Sequence, residues 1–383
     1  MRFATKAVHS GNEPDRLTGA VAPPIFTAST FAQDGVGKPR GYEYSRSGNP
    51  TRERLERAVA DLEHGRHGLA FSSGLGATAT VGSLLKKGDH VLICNDVYGG
   101  TFRIFNSVFA NYGITFSKVD ARDPDSLARA VRPSTRMVWM ESPTNPLMVV
   151  LDIRAVAKIA LEKGLILTVD NTFASPCLQN PLKLGATIVL HSTTKYISGH
   201  SDMVGGALAV TDEEIYGRLK FLQNAIGAVP SPFDCYLALR GLRTLHLRME
   251  QHSKNAQSLS ELLEGSGRAT SVFYPFLESS PTYRLAKRQM SRGGGMVSFR
   301  IRGGYRAASR FLESLRIFVL AESLGGVESL AELPARMTHL SIPKVNREKM
   351  GITDDLIRLS VGIEDPLDLA EDVSRALDRA AST

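Results

Sequence analysis

One stretch gathers residues able to do covalent chemistry: Leu190-His191-Ser192-Thr193-Thr194-Lys195-Tyr196-Ile197-Ser198-Gly199-His200. The apolar run from Ala186 to Leu190 precedes it, which predicts a buried strand that ends there and delivers Lys195 among hydroxyls, imidazoles and glycine. An ammonium is costly to desolvate, so a partly buried lysine shifts its pKa or is used as an amine. Its commonest covalent use is a Schiff base with pyridoxal phosphate or with a carbonyl substrate. Ser192 and Thr194 add hydroxyls suited to phosphate oxygens. S-x-T-K alone is too short to tell this from a surface lysine in a loop.

Two further stretches weigh on that choice. Val169-Asp170-Asn171-Thr172 puts an aspartate just after the apolar run Leu165 to Val169, where a parallel sheet presents its carboxyl ends to a ligand. Such an aspartate could keep a pyridine nitrogen protonated, and the protonated ring then acts as an electron sink for charge at a substrate's α carbon. Phe71-Ser72-Ser73-Gly74-Leu75-Gly76-Ala77-Thr78 reads as a strand passing through a glycine turn into a helix, which offers backbone N–H groups to a phosphate. A rival reading uses the same segment: Gly74 to Ala79 fits G-x-G-x-x-A after a strand, with Asp96 further on, as in an NAD-dependent oxidoreductase. That reading leaves Asp170, Ser192, Thr194 and Lys195 without a role.

The elements that must hold these residues follow from periodicity. Between about 60 and 245 apolar runs alternate with amphipathic segments. Strands are expected at Gly68 to Ser72, His90 to Cys94, Thr115 to Val119, Met137 to Glu141, Leu165 to Val169, Thr187 to Leu190 and Gly206 to Val210. Helices are expected at Ser126 to Val131 and Ile153 to Lys163. This alternation predicts an α/β domain with a mostly parallel sheet covered on both faces. Asp96, Asn145, Asp170 and Lys195 each follow a strand, so four segments can converge on one crevice. Residues 1–59 carry several glycines and prolines and one short helical pattern after Pro50, which predicts an arm lying on another surface. Residues 246–383 read as a smaller α+β domain with strands Met296 to Ile301 and Leu356 to Ser360 and a final helix Pro366 to Ala381.

Composition narrows the function. The 383 residues, 43% hydrophobic, suffice for two domains with a site between them. Apolar runs are too short to span a bilayer and Met1 to Gly11 lacks the apolar core of a secretion signal, so a cytoplasmic protein with no membrane partner is expected. Cys94, Cys177 and Cys235 are far apart and form no C-x-x-C pair, and the histidines make no H-E-x-x-H, so no metal is expected. The formal charge of +7 is spread along the chain. It fits anion-binding arginines in a site for phosphate and carboxylates better than a nucleic-acid surface, which would also need stacking aromatics.

The chain resembles the Cys/Met-metabolism family of pyridoxal-phosphate enzymes from about Thr5 to Leu377. The resemblance rests on Tyr44-Ser45-Arg46-Ser47-Gly48-Asn49-Pro50-Thr51-Arg52, Asp96-Val97-Tyr98-Gly99-Gly100-Thr101, Glu141-Ser142-Pro143-Thr144-Asn145-Pro146, the lysine loop, Ala321-Glu322-Ser323-Leu324-Gly325-Gly326 and Ile357-Arg358-Leu359-Ser360-Val361-Gly362, in the family's order and spacing. It implies the aspartate-aminotransferase type of fold, known as fold type I, and pyridoxal 5'-phosphate bound through Lys195, which also shuttles protons. It implies that Asp170 pairs with the pyridine nitrogen, that Tyr98 stacks on the ring and assists proton transfer, and that Gly74, Leu75, Thr172, Ser192 and Thr194 help hold the cofactor. Asn145, Ser323 and Arg358 would bind the substrate's α-carboxylate. Tyr44 and Arg46 would reach the phosphate of a neighbouring subunit, in a homotetramer built from dimers.

Within the family the reaction is a finer question. Gly100 stands where methionine γ-lyases usually carry a cysteine. Gly227-Ala228-Val229-Pro230-Ser231-Pro232, Asp234-Cys235-Tyr236-Leu237 and Glu328-Ser329-Leu330-Ala331-Glu332-Leu333-Pro334 look most like cystathionine γ-lyases, whereas the lysine loop looks equally like bacterial cystathionine γ-synthases. Glu322 matches a glutamate common in cystathionine-handling members, where it would meet the substrate's distal ammonium. The expected reaction is therefore γ-elimination on cystathionine, with γ-replacement of an O-acyl-homoserine by cysteine as the alternative. Pro275 to Ser280 and Leu340 depart from the pattern, which leaves room for a specialised substrate.

Overall fold

The runs His90–Cys94 and Gly206–Val210 are apolar on both faces, and such strands are stable only between two covering layers. In the computed structural model, which describes residues 1–340 and 342–381, they lie inside a seven-stranded sheet. Its strands are β1 (His67–Phe71), β2 (His90–Cys94), β3 (Thr115–Val119), β4 (Thr135–Glu141), β5 (Ile166–Asp170), β6 (Ile188–Ser192) and β7 (Gly206–Val210), in the order β1-β7-β6-β5-β4-β2-β3. From β3 to β6 every pairing is parallel. Strand β7 runs antiparallel to β6 and to β1. The sheet is thus the mostly parallel one expected, with an antiparallel flank.

Strand order turns back between β2 and β4, because β3 lies on one side of β2 while β4, β5 and β6 follow on the other. Ligand crevices in such sheets form at that reversal, outside the carboxyl ends of the strands. The dinucleotide reading fails here. Its fingerprint strand β1 is an edge strand paired only to antiparallel β7, with no parallel neighbours to build the two-sided cleft that a dinucleotide needs.

A second sheet has the order β10-β11-β12-β9-β8, from β8 (Ala269–Phe273), β9 (Met296–Ile301), β10 (Val319–Leu320), β11 (Leu330–Glu332) and β12 (Leu356–Ser360). The helices Gly304–Ser314 and Pro366–Ala381 bury Phe311, Leu369, Val373 and Leu377 in a core of its own. One long helix, Leu245–Gly265, serves both cores: Leu245 and Met249 pack with the large sheet, Leu259 and Leu263 with the small one. It also clamps the lysine loop. Arg248, 4% exposed, donates to the carbonyls of Tyr196 (2.7 Å), Ile197 (3.3 Å) and Gly241 (2.8 Å). Gly199, at φ +72°, makes room for it, since a Cβ there would come within 2.0 Å of the guanidinium.

The N-terminal region holds more helix than its composition suggests. Phe3–His9 is helical, and the pattern after Pro50 extends to Glu63. Pro50 at the first position and the Asn49 side chain, which accepts from the N–H groups of Thr51 and Arg52, start that helix; Leu55, Val59 and Leu62 bury it against the large core. No helix among the described residues is long and apolar enough to cross a membrane. The third expected segment, 246–383, ends beyond the described residues.

Candidate active site

The carboxyl ends of the parallel strands and the second sheet enclose a cavity of about 370 Å³. At one end, the Ser73 hydroxyl caps the helix Gly74–Gly82 by accepting from Gly76 N–H at 2.9 Å. Gly74 and Leu75 line the cavity. Their N–H groups belong to the first turn, which a helix leaves without intrahelical acceptors, an arrangement that binds phosphate. Gly74 also lets β6 come close: a Cβ there would sit 3.1 Å from the Ser192 Cβ. Ser192 and Thr194 complete this end. The Thr194 hydroxyl is positioned by the loop, donating to the Gly205 carbonyl at 3.2 Å and accepting from Gly205 N–H at 3.0 Å.

Midway lie two carboxyl groups from neighbouring strand ends, Glu141 and Asp170, which are register partners in the β4–β5 ladder. Asp170 Oδ1 accepts from Thr172 N–H at 3.0 Å, and the Thr172 hydroxyl in turn accepts from Ser192 N–H at 2.9 Å. Burial pushes Asp170 upward, while the Thr172 bonds and nearby His191 pull it down. His191 is itself bonded to Glu63, 2.6 Å away and fully buried. Glu141 accepts from Tyr98 N–H at 2.7 Å and lies well above the usual carboxylate range, through burial first and Asp170 second. Both burial and the neighbouring Asp170 thus disfavour the charged form of Glu141. The Tyr98 ring remains 43% exposed at the rim.

Lys195 stands between the two ends. Its Nζ donates to the Ser323 hydroxyl at 2.7 Å, and burial, then Arg358, brings its pKa down to about 8. Ser323 has φ +100°, a conformation rare outside glycine and the kind of strain that collects at functional sites. Two bonds hold it there: the Lys195 contact to its hydroxyl, and a 2.9 Å donation from Arg358 Nη2 to its carbonyl. Arg358, 2% exposed, also donates to Asn145 Oδ1 at 2.9 Å and has no partner at Nε. Glu322 lines the cavity beside it.

Asp96, expected in the same crevice, instead lines a separate cavity with Lys118 and Arg122. The cofactor- and substrate-binding residues expected from the sequence all line this one cavity except Tyr44 and Arg46. Those two lie on the arm, with the Arg46 guanidinium 5.7 Å from the centre of a half-exposed Tyr44 ring. Leu340, 59% exposed, does not line the cavity; Thr338 does. Residues 275–280 are likewise absent from its wall, and Leu277 packs in the second core. Sequence reasoning missed Glu141, Thr338 and the counter-ion of Arg358, Glu332, whose Oε1 is 3.1 Å from Nη1. Glu141 carried a usable signal, being the last residue of a predicted strand at the same edge as Asp170.

The family model for Cys/Met metabolism PLP-dependent enzymes matches residues 4–378. The chain belongs to that family. Its cofactor is therefore pyridoxal 5'-phosphate, and the cavity suits it: first-turn donors at one end, a lysine of lowered pKa, and the Asp170 carboxylate on the same wall, steadied by Thr172. The chain is 53% identical over 379 residues to a cystathionine gamma-lyase from Dictyostelium discoideum, covering 99% of this chain and 98% of that protein. It is 52% identical to a cystathionine beta-lyase from Coxiella burnetii, with 97% of each covered. The crystal structure of a cystathionine gamma synthase from Xanthomonas oryzae pv. oryzae, in complex with aminoacrylate and cysteine, superposes with a TM-score of 0.98 at 46% identity over 100% of this chain and 99% of that one. Relatives of three activities stand almost equally near, so membership establishes a PLP enzyme of transsulfuration chemistry and the fold type I architecture.

Proposed function

We propose that this enzyme splits cystathionine at the γ carbon, giving cysteine, 2-oxobutanoate and ammonia. The observation that carries the reading is the position of Glu322, a carboxylate on the wall of the cavity that holds Lys195 and Arg358. With the substrate's α-carboxylate on Arg358, Glu322 is free to attract the distal ammonium of cystathionine. Methionine and homocysteine have no distal amine to offer it.

Bound in the cavity, pyridoxal phosphate supplies an electron sink for negative charge at the substrate's α carbon. Gly74, Leu75, Ser192 and Thr194 would hold its phosphate, Asp170, steadied by Thr172, would pair with its ring nitrogen, and Tyr98 would cover the ring. Lys195 would hold the cofactor at rest and, when free, would move protons to and from the substrate's α and β carbons. A pKa near 8 keeps a useful fraction of its amine neutral for that task. Arg358 grips the α-carboxylate through parallel N–H groups, with Asn145 and Ser323 fixing the guanidinium from behind. Tyr44 and Arg46 act in the cavity of a neighbouring subunit, within a homotetramer built from dimers and located in the cytoplasm. The support is their position on an exposed arm away from this chain's own cavity.

Synthesis of cystathionine from an O-acyl-homoserine and cysteine is the second reading, supported by the same Glu322, since the attacking cysteine also brings an ammonium. Pure enzyme offered cystathionine alone should release cysteine and 2-oxobutanoate. Offered an activated homoserine ester with cysteine, it should form cystathionine more slowly than it splits it. The reverse ratio makes it a synthase, and inactivity in both assays sinks the cystathionine assignment.

A further inference from the structure

Paired with Arg358, and not itself part of the cavity wall, is a buried carboxylate that the proposed function leaves without a task. Glu332 ends β11 and faces Arg358 across the antiparallel ladder to β12, with Oε1 3.1 Å from Nη1. It is 1% exposed, and its Oε2 has no partner. The Thr338 hydroxyl donates to Oε1 at 2.8 Å. Having given its one proton there, that hydroxyl accepts from Nδ1–H of His339, 2.9 Å away. His339 is fully buried with its pKa pushed down to about 4, chiefly by that burial, so it stays neutral at physiological pH. The remaining charged groups that act on Glu332 are Lys195 and Glu322. In the absence of substrate, then, Glu332 neutralises Arg358 at close range.

A substrate carboxylate arriving on Arg358 puts two carboxylates on one buried guanidinium. Neighbouring carboxylates in such a site do not both remain ionised, and the pKa of one rises strongly. The incoming group is held by its bonds to Arg358, whereas Glu332 has an oxygen with no bond to lose. We propose that Glu332 is a proton-coupled counter-ion: it takes up one proton from solvent as the substrate's α-carboxylate docks on Arg358, so carboxylate affinity falls as pH rises. Glu332 is a positioning residue in this scheme, acting through Arg358. Burial already biases it toward the protonated form, against the pull of Arg358 and the Thr338 bond.

The idea rests on Arg358 being the carboxylate's partner, and one experiment separates the two. Butanoate has the carboxylate and no amine, so it leaves the Lys195 linkage intact. Titrated calorimetrically into the holoenzyme in two buffers of different ionisation enthalpy, it should take up about one proton per molecule bound. Affinity should fall about tenfold per pH unit above the free pKa of Glu332, the slope of one coupled proton. Glu332→Gln keeps the size of the side chain and an acceptor for Thr338 but cannot titrate. Its butanoate binding should lose the uptake, become flat with pH and be tighter than wild type at alkaline pH. Should Glu332→Gln not fold, Thr338→Val serves instead: removing a donor raises the free pKa of Glu332 and should move the onset of uptake to higher pH. Butanoate binding without uptake in the wild type, uptake unchanged in Glu332→Gln, or an unmoved onset in Thr338→Val overturns the proposal. Equal binding to wild type and Arg358→Ala overturns the Arg358 reading itself, and this inference with it.

Discussion

The two ends of the cavity solve the same problem, holding an anion away from water, by different means. At the phosphate end the donors are neutral: backbone N–H groups of Gly74 and Leu75 and the hydroxyls of Ser192, which ends β6, and Thr194, just after it. At the carboxylate end the donor is a buried guanidinium that brings its own counter-ion, Glu332. The first needs no compensation when empty. The second is a paired charge, and breaking such a pair is costly because the surviving charge is left buried and alone. One end thus suits a resident cofactor, and the other a carboxylate that comes and goes.

Lys195 joins the ends, so Lys195→Ala breaks the comparison outright. Turnover should drop by at least about a thousandfold, on the scale of general acid–base catalysis, and the visible absorbance of the bound cofactor should vanish. Wild-type turnover in that variant removes the central assignment.

The next test asks whether the phosphate end is complete within one chain. Arg46→Ala and Lys195→Ala proteins, mixed and reassembled, should regain activity in up to about a quarter of the sites, the statistical share for paired subunits. Each recovered site combines an intact arm with an intact lysine. Verified mixed oligomers with no recovery argue that the arm serves its own chain.

A smaller effect sharpens the carboxylate end. Glu322→Ala should raise the KM for cystathionine by about ten- to a hundredfold, as expected for losing a charged hydrogen bond, and leave homoserine nearly unaffected. A parallel rise for both substrates would show that Glu322 only shapes the loop.

The same contrast explains what could be read without coordinates. The phosphate end is local in sequence: a strand, a capping Ser73, Gly74 and a helix lie within one short segment, and the strand-end positions of Asp170 and Lys195 follow from apolar runs. Strands β2, β3, β7, β9 and β12 fall where their β-branched, apolar runs place them. The carboxylate end is built from partners far apart in the chain. Arg358 meets Asn145 across 213 positions, and Glu332 comes from a strand of three residues, too short to show any period. Nothing near Glu332 in sequence announces a buried ion pair; only the β11–β12 ladder creates it. Glu63 beneath His191 is hidden for the same reason, with 128 positions between them.

Arg358→Ala tests the division of labour most directly, with cofactor content and amino-acid binding measured on the same preparation. Losing one partner of a buried ion pair typically costs about 3 to 5 kcal/mol, roughly two to four decades in affinity. The account predicts substrate binding weakened by at least about a hundredfold while pyridoxal phosphate is retained nearly as in wild type. Cofactor lost in equal measure would contradict it, by placing Arg358 at the phosphate.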